Sequence, residues 1–203
     1  MISLPEGSMS TRGGQIVTVR EVLDAARERA RDIVEEKGRN VAEGEIDAIA
    51  RKIALATVKY GMVASNRGKD ITFDIDEAVS LEGDTGPYVQ YATTRAYSIL
   101  DSAPGVPAVD EIDPSAFNET DHNLLYHLGR YPLVLERCEE RYDAAPLARY
   151  LLDLAHVFNS FYHKNRVLDA ESAAEERLVL TAATAQVFEN GLGLLGIETL
   201  AEM

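Results

Sequence analysis

Between Gly83 and Arg95 the chain reads Gly-Asp-Thr-Gly-Pro-Tyr-Val-Gln-Tyr-Ala-Thr-Thr-Arg. Thr85 can serve as N-cap, Gly86 opens the turn, and Pro87 suits the first helical position, where its missing N–H breaks no hydrogen bond. A helix is therefore predicted from Tyr88 to about Leu100. At 3.6 residues per turn Tyr88, Tyr91 and Arg95 share one face, with Gln90 on an adjoining face and Val89, Ala96 and Leu100 left for packing. The segment can offer two rings, an amide and a guanidinium to a ligand. The same spacing also fits a helix start whose tyrosines are half-buried core with bonded hydroxyls.

A second set follows later, in Asn159, Tyr162, Lys164 and Arg166. Tyr162 and Arg166 lie four apart, so a ring and a guanidinium plane adjoin. A helix end with snorkelling side chains is the plainer reading of the same residues. Other chemistries find no support. His122, His127, His156 and His163 lack His-x3-His spacing and a nearby cysteine, so no metal site is predicted, and His156 is expected to pack on its helix. There is no Gly-x-x-x-x-Gly-Lys loop, no Gly-x-Ser-x-Gly elbow and no His-x-Gly-His motif.

The elements that must hold these residues read as helices. Residues 1–17 are rich in Gly and Ser and are predicted to be a loop. Thr18-Val-Arg-Glu21 is a capping box, and Val22, Leu23, Ala26, Ala30 and Ile33 carry a helix to about residue 36. A second helix, from about Glu43 to Ser65, has the stripe Ile46, Ile49, Ile53, Thr57, Tyr60 and Val63, so the two should form a hairpin. Ile71 to Asp76 alternates apolar with polar but is too isolated for a sheet, and is read as a connector with Asp76 capping a short turn through Leu81. Asp101 to Glu119 has three prolines, Gly105 and scattered acids, the composition of an acidic surface loop without regular structure before about residue 118. Leu124, Leu125 and Leu128 begin a helix, Tyr131-Pro132 breaks it, and another runs to about Tyr142. The stripes Leu147 to Leu168 and Leu178 to Leu195 predict a long antiparallel pair, ended by Gly191, Gly193 and Gly196, with Thr199 to Met203 on the surface.

A length of 203 residues, 46% of them hydrophobic, suffices for a packed core. One cysteine, no signal peptide and no apolar run of about 18 residues make a cytoplasmic protein without a membrane role the expectation. A net charge of −14 argues against gripping nucleic acid by bulk charge. The charge is uneven, however. Residues 1–60 hold ten Lys/Arg and ten Asp/Glu, whereas residues 101–140 hold nine acids against Arg130 and Arg137. A binding face built from Arg95, Lys164, Arg166 and the first segment can be locally neutral or basic, while the acidic stretch faces solvent or a different partner.

Gly83 to Ala92 followed by Arg95 resembles the start of the anticodon-binding domain of arginyl-tRNA synthetase, a class I aminoacyl-tRNA synthetase. Leu4-Pro-Glu-Gly-Ser-Met-Ser-Thr-Arg-Gly-Gly14 resembles that family's KMSKS loop, and Phe158-Asn-Ser-Phe-Tyr162 with Asn190-Gly-Leu-Gly-Leu-Leu-Gly-Ile197 resembles its last helices. The resemblance implies an all-α fold: a helical bundle of the class I synthetase anticodon-binding type preceded by a helical hairpin. Residues 1–83 would be the end of a catalytic domain with a stem-contact hairpin, and 84–203 the anticodon-binding bundle, with the acidic proline-rich loop at 101–119. It also implies recognition of the anticodon loop of arginine tRNA by Tyr88, Gln90, Tyr91, Arg95, Asn159, Tyr162, Lys164, Arg166 and Met203. Stacking on rings and edge reading by polar groups is how proteins read unpaired bases, and it needs little net positive charge.

Met9, Ser10 and Arg12 would belong to the loop that closes over ATP, with Ser8 standing where the family's motif usually has lysine and Arg12 as the nearby cation. Thr93-Thr94 replaces a more common His-Ala, and Leu200-Ala-Glu stands where Pro-Glu-Arg is frequent. ATP and magnesium are implied for the parent ligase, with none bound tightly by this chain, and the partners implied are arginine tRNA and the remainder of the catalytic domain. A monomer is expected. The alternative from another class is a free-standing acidic helical adaptor, or a tRNA-binding module without catalysis. With no His-x-Gly-His motif to position ATP, the 203-residue chain is expected to show no arginine-dependent pyrophosphate exchange; such exchange by the isolated chain would contradict this reading.

Overall fold

Thr18 and Glu21 close the predicted capping box at the start of the first long helix. The Thr18 N–H donates to Glu21 Oε2 at 2.6 Å and the Glu21 N–H to Thr18 Oγ1 at 3.3 Å. The backbone bond from Thr18, and then its hydroxyl, hold the Glu21 carboxyl below its ordinary pKa. The computed structural model describes residues 2–4, 7–8, 18–37, 41–65, 71–72, 74–168 and 173–201. Met9, Ser10, Arg12 and Met203 lie outside them.

Helix α1 (Val19–Lys37) packs on α2 (Ile46–Ala64) to make the hairpin. Ala26, Ala30 and Val34 on one helix meet Ala50, Ile53 and Ala54 on the other, all at most 2% exposed. Alanine at four of these six positions lets the helix axes approach closely. Arg27 pairs with Asp47 across the outside of the hairpin.

Two expectations fail beside it. Strands β1 (Ile2–Leu4), β2 (Gly7–Ser8) and β3 (Ile71–Thr72) form a small sheet in the order β2-β1-β3, antiparallel between the first two and parallel between β1 and β3. The stretch around Ile71 has a partner after all, about seventy residues away in the segment read as a loop; pairing of that range leaves no trace in local composition. Asp74, not Asp76, caps the short helix α3 (Ile75–Ala78), accepting from the Glu77 N–H at 3.2 Å. Asp76 lies inside it and pairs with Arg29 at 2.9 Å.

Helix α4 (Gly86–Asp101) begins two residues before the expected Tyr88 and crosses α2 closely. A Cβ on Gly86 would stand 2.6 Å from Tyr60 Cβ and 2.8 Å from Ala56 O, so only glycine permits the approach. Residues 102–118 carry two single 3-10 turns, Val109–Glu111 and Pro114–Ala116, in an otherwise irregular stretch. Helices α5 (Glu119–Gly129) and α6 (Tyr131–Arg141) divide near Pro132 as expected, and α7 (Ala145–Lys164) and α8 (Ala174–Leu194) follow.

The bundle core gathers Val89, Ala92 and Ala96 of α4, Leu124 of α5, Leu151, Leu154, Phe158 and Phe161 of α7, and Phe188 and Leu192 of α8. Phe158 and Phe188 meet edge to face at 6.3 Å. Tyr60 and Tyr150 donate their hydroxyls to Ala148 O and His127 O, each at 3.0 Å, and burial pushes both phenol pKa values up. The last helices are not the simple pair expected, because α8 leans chiefly on α4 and less on α7. Nor does Gly191 end α8. It lies inside the helix, where a Cβ would stand 2.6 Å from Leu151 Cδ2, and the chain turns only at Gly196, with φ of +68° and the Ile197 N–H bonded back to Leu192 O at 2.9 Å.

The tail beyond Gly196 is not a surface appendage. Leu200 is 1% exposed and belongs to the hairpin's apolar cluster. Lys59 donates to Gly196 O, and Lys52 pairs with Glu198 at 3.2 Å. The expectation failed because Leu200 is a single apolar residue after a glycine turn, with no periodicity to mark it.

Asp121, fully buried at the start of α5, accepts from Arg177 Nε at 3.2 Å and from Arg177 Nη2 at 3.3 Å. Removing one partner leaves a buried charge uncompensated. Arg177→Met or Asp121→Asn should therefore lower stability by about 3–5 kcal/mol, seen as a melting temperature lower by roughly 10 °C; a smaller effect in the double variant than the sum of the two single ones would show the coupling.

Candidate nucleic-acid interface

Thr85 starts α4 as expected. Its Oγ1 accepts from the Tyr88 N–H at 3.1 Å and donates to Ser80 O at 2.6 Å, fixing the turn that precedes the helix. From this start Tyr91 and Arg95 fall on the face toward the end of α7. The Arg95 guanidinium centre lies 4.8 Å from the ring centroid of Tyr91 and 4.8 Å from that of Tyr162, between two aromatic rings. Arg95 Nη2 donates to the Tyr91 hydroxyl at 3.2 Å, and Nη1 donates to Asn159 Oδ1.

These residues open onto a groove of about 870 Å³ between α4 and residues 162–168. Tyr91, Arg95, Tyr162, Lys164 and Arg166, named separately from two parts of the sequence, all line it. Tyr162 is 39% exposed, with Arg95 over its ring. Arg95, Lys164 and Arg166 are its cations, and no carboxylate stands among the described residues that line it. In a chain with net charge −14, that makes the groove a local cationic site.

Hydrogen bonds hold its far wall. Asn165 Nδ2 donates to Phe161 O at 2.9 Å and to Thr120 Oγ1 at 2.7 Å, while Asn165 Oδ1 accepts from Asn118 Nδ2 at 2.7 Å. Arg177 Nη1 donates to Arg166 O at 3.2 Å. The end of α7 at Lys164 and the loop bearing Arg166 are thus tied to the cap of α5 and the start of α8.

Three expected residues stand elsewhere. Gln90 is fully buried on the opposite side of α4, where its Nε2 donates to Glu198 O at 2.7 Å and its Oε1 has no partner among the described residues. It is placed to hold the tail and not to meet a ligand. Thr94 acts beside it, donating to Leu200 O at 3.0 Å. Asn159 is 8% exposed and joins Arg95 to Tyr88, whose hydroxyl accepts from Asn159 Nδ2 at 2.8 Å. Tyr88 itself is half-buried and lies beside His156. Spacing places a residue on a helix but cannot say which neighbour covers it.

Ser98 and Ser102 line the groove and were not singled out. The signal was present: 91, 95, 98 and 102 continue the stripe of the first turn at spacings of four, three and four. Among the described residues no group of His, Cys, Asp and Glu could hold a metal ion, and no helix is long and apolar enough to cross a membrane.

A helical bundle with a ring-lined groove whose described walls carry cations and no carboxylate defines a class of protein suited to unpaired nucleic acid. Comparison with known proteins makes this specific. Residues 89–203 match the DALR anticodon binding domain and residues 1–75 match the tRNA synthetases class I (R) catalytic domain, so the chain belongs to the DALR anticodon-binding family, with an adjoining piece of a class I catalytic domain. It is 70% identical over 203 residues to an arginine–tRNA ligase of Halobacterium salinarum, covering 100% of this chain and 32% of that protein. An arginine–tRNA ligase of Thermococcus kodakarensis is 39% identical over 98% of this chain and 33% of its own length. Among solved structures, the Thermus thermophilus arginyl-tRNA synthetase superposes with a TM-score of 0.86 at 36% identity, over 100% of this chain and 34% of that one. The chain therefore spans about a third of the length of these relatives.

The burial of Gln90 generates a test. Gln90→Met conserves volume and removes one hydrogen bond to the tail, so stability should fall by about 1 kcal/mol, while RNA affinity measured on the folded variant stays at the wild-type value.

Proposed function

We propose that this chain is the tRNA-recognising portion of an arginine–tRNA ligase and that its groove receives unpaired bases of the anticodon loop of arginine tRNA. The observation that carries the reading is the convergence of Tyr91, Arg95, Tyr162, Lys164 and Arg166 on one groove with no carboxylate among the described residues that line it. Relatives that are arginine–tRNA ligases supply the substrate.

Residues 1–83 are read as the end of the catalytic domain with a hairpin against the tRNA stem, and 84–203 as the anticodon-binding bundle; the family matches over 1–75 and 89–203 support that division. The whole ligase would join arginine to its tRNA with ATP and magnesium, in the cytoplasm where translation takes place. The catalytic domain is then the chain's other partner. The groove has no part in activation, which would draw on the segment with Met9, Ser10 and Arg12. The chain is read as a monomer.

Rings and cations should separate in the assay. Each stacked base is worth about 1–3 kcal/mol, and the reading that only arginine tRNA seats a base on this ring has Tyr162→Ala weaken arginine tRNA by that amount and leave other tRNAs nearly unchanged. Lys164→Ala should weaken all tRNAs alike and reduce the salt dependence by roughly one unit of slope. Tyr162 is partly exposed, so its truncation should leave the melting temperature close to wild type. A loss of affinity that tracked unfolding and showed no anticodon preference would refute the reading.

A further inference from the structure

We propose that His156 is a positioning residue of the groove, setting the Tyr88 hydroxyl and, through Asn159, the guanidinium of Arg95. The inference rests on the anticodon-binding reading. His156 lies on α7, its ring 4.9 Å from that of Tyr88, with Nδ1 3.1 Å from the Tyr88 hydroxyl and Nε2 3.4 Å from Asp84 Oδ1. The next member is Asn159, whose Nδ2 donates to the same hydroxyl at 2.8 Å and whose Oδ1 accepts from Arg95.

The chemistry of each group assigns its role. An amide nitrogen has only hydrogens to give, so the Tyr88 oxygen accepts from Asn159. The hydroxyl hydrogen is then free for His156 Nδ1, and with Nδ1 as acceptor the ring hydrogen on Nε2 points to Asp84. The Asn159 amide cannot turn over, because its NH2 would then face the donors of Arg95 and its oxygen would face a hydroxyl whose hydrogen is engaged elsewhere. A single chain of bonds thus runs from the turn before α4 to α7 and back to Arg95 on α4. Asp84 is 81% exposed, so the outer bond contributes little, and the inner sequence His156, Tyr88, Asn159, Arg95 carries the effect. Asn159, 8% exposed and bonded on both sides, supports Arg95 between its two rings and does not itself reach a base.

The test measures binding of the 203-residue chain to an arginine tRNA anticodon stem-loop RNA and to the same RNA with its anticodon changed. Wild type is compared with His156→Leu, His156→Asn, Tyr88→Phe and the double variant His156→Leu/Tyr88→Phe. His156→Leu and Tyr88→Phe should each weaken the arginine stem-loop by roughly threefold to tenfold, the worth of one hydrogen bond, with the changed RNA hardly affected. In His156→Asn a side-chain oxygen replaces the Nδ1 acceptor, so affinity should return to within about twofold of wild type. The double variant should be no weaker than either single one, because both cut the same link.

Additive losses in the double variant would overturn the proposal, as would a His156→Asn variant that is as weak as His156→Leu at unchanged melting temperature. Should His156→Leu fail to fold, Tyr88→Phe still decides, since it keeps the ring and removes only the link; wild-type affinity there overturns the proposal. Equal binding of both RNAs by the wild-type chain is a different failure. It removes the anticodon reading itself, and this proposal with it.

Discussion

The pairing of Arg177 with the fully buried carboxylate of Asp121 is the constraint on which the groove depends. An ion pair out of water is favourable only when the remaining donors and acceptors are also satisfied, since desolvation of each charge costs several kcal/mol. Here they are. Asp121 Oδ2 also accepts from the Asn118 N–H at 2.9 Å, which makes the carboxylate the second half of the α5 capping box, and Arg177 gives a further hydrogen to Arg166 O. One buried pair therefore starts α5, orients the start of α8, and fixes the segment whose side chains face the groove. A pair of apolar residues in the same place could match its stability but would leave the Arg166 carbonyl and the α5 cap unsatisfied.

Helix α4 distributes the rest. Its Val89, Ala92 and Ala96 face the bundle core, its Tyr91 and Arg95 face the groove, and its Gln90 and Thr94 hold the carbonyls of Glu198 and Leu200. Three neighbours on one 16-residue helix leave few positions free to change. The tail held by Gln90 and Thr94 delivers Leu200 into the hairpin cluster, so hairpin and bundle share packing through α2, which serves both apolar clusters, and through the tail. Helix α4, with Thr94 also lining the groove, is in this way joined to the helices of the hairpin.

Much of this was legible in residue order, for physical reasons that differ by element. The capping boxes and apolar stripes are local, and they gave the helices with small errors at their ends, as at Gly86 and Asp74. The groove was legible in part because Tyr91 and Arg95, and Tyr162 and Arg166, are each helical neighbours. What composition could not show was distance along the chain: the pairing of Ile2 with Ile71, the descent of Leu200 into a core built from residues 26–79, and the covering of Gln90 by a tail more than a hundred residues later. His156 was read as a packed histidine, and only the spatial nearness of Tyr88 and Asp84 shows both of its ring nitrogens in use.

The acidity of the chain bears on binding in a way that the groove resolves. With thirty-four Asp and Glu against twenty Lys and Arg, most of the surface repels phosphate. At physiological ionic strength charges more than about 8 Å apart are largely screened, so a polyanion arriving at the groove responds mainly to its walls, where Arg95, Lys164 and Arg166 stand with no carboxylate among the described lining residues. Acidic surface elsewhere then works against nonspecific contact. The balance shifts toward the interactions that depend on an unpaired base, with Tyr162 backed by a guanidinium that is itself held by Asn159 and the Tyr91 hydroxyl. Because Arg95 is already stacked and bonded, little of its side-chain freedom remains to be lost on binding, and the rings it separates are presented as a rigid surface.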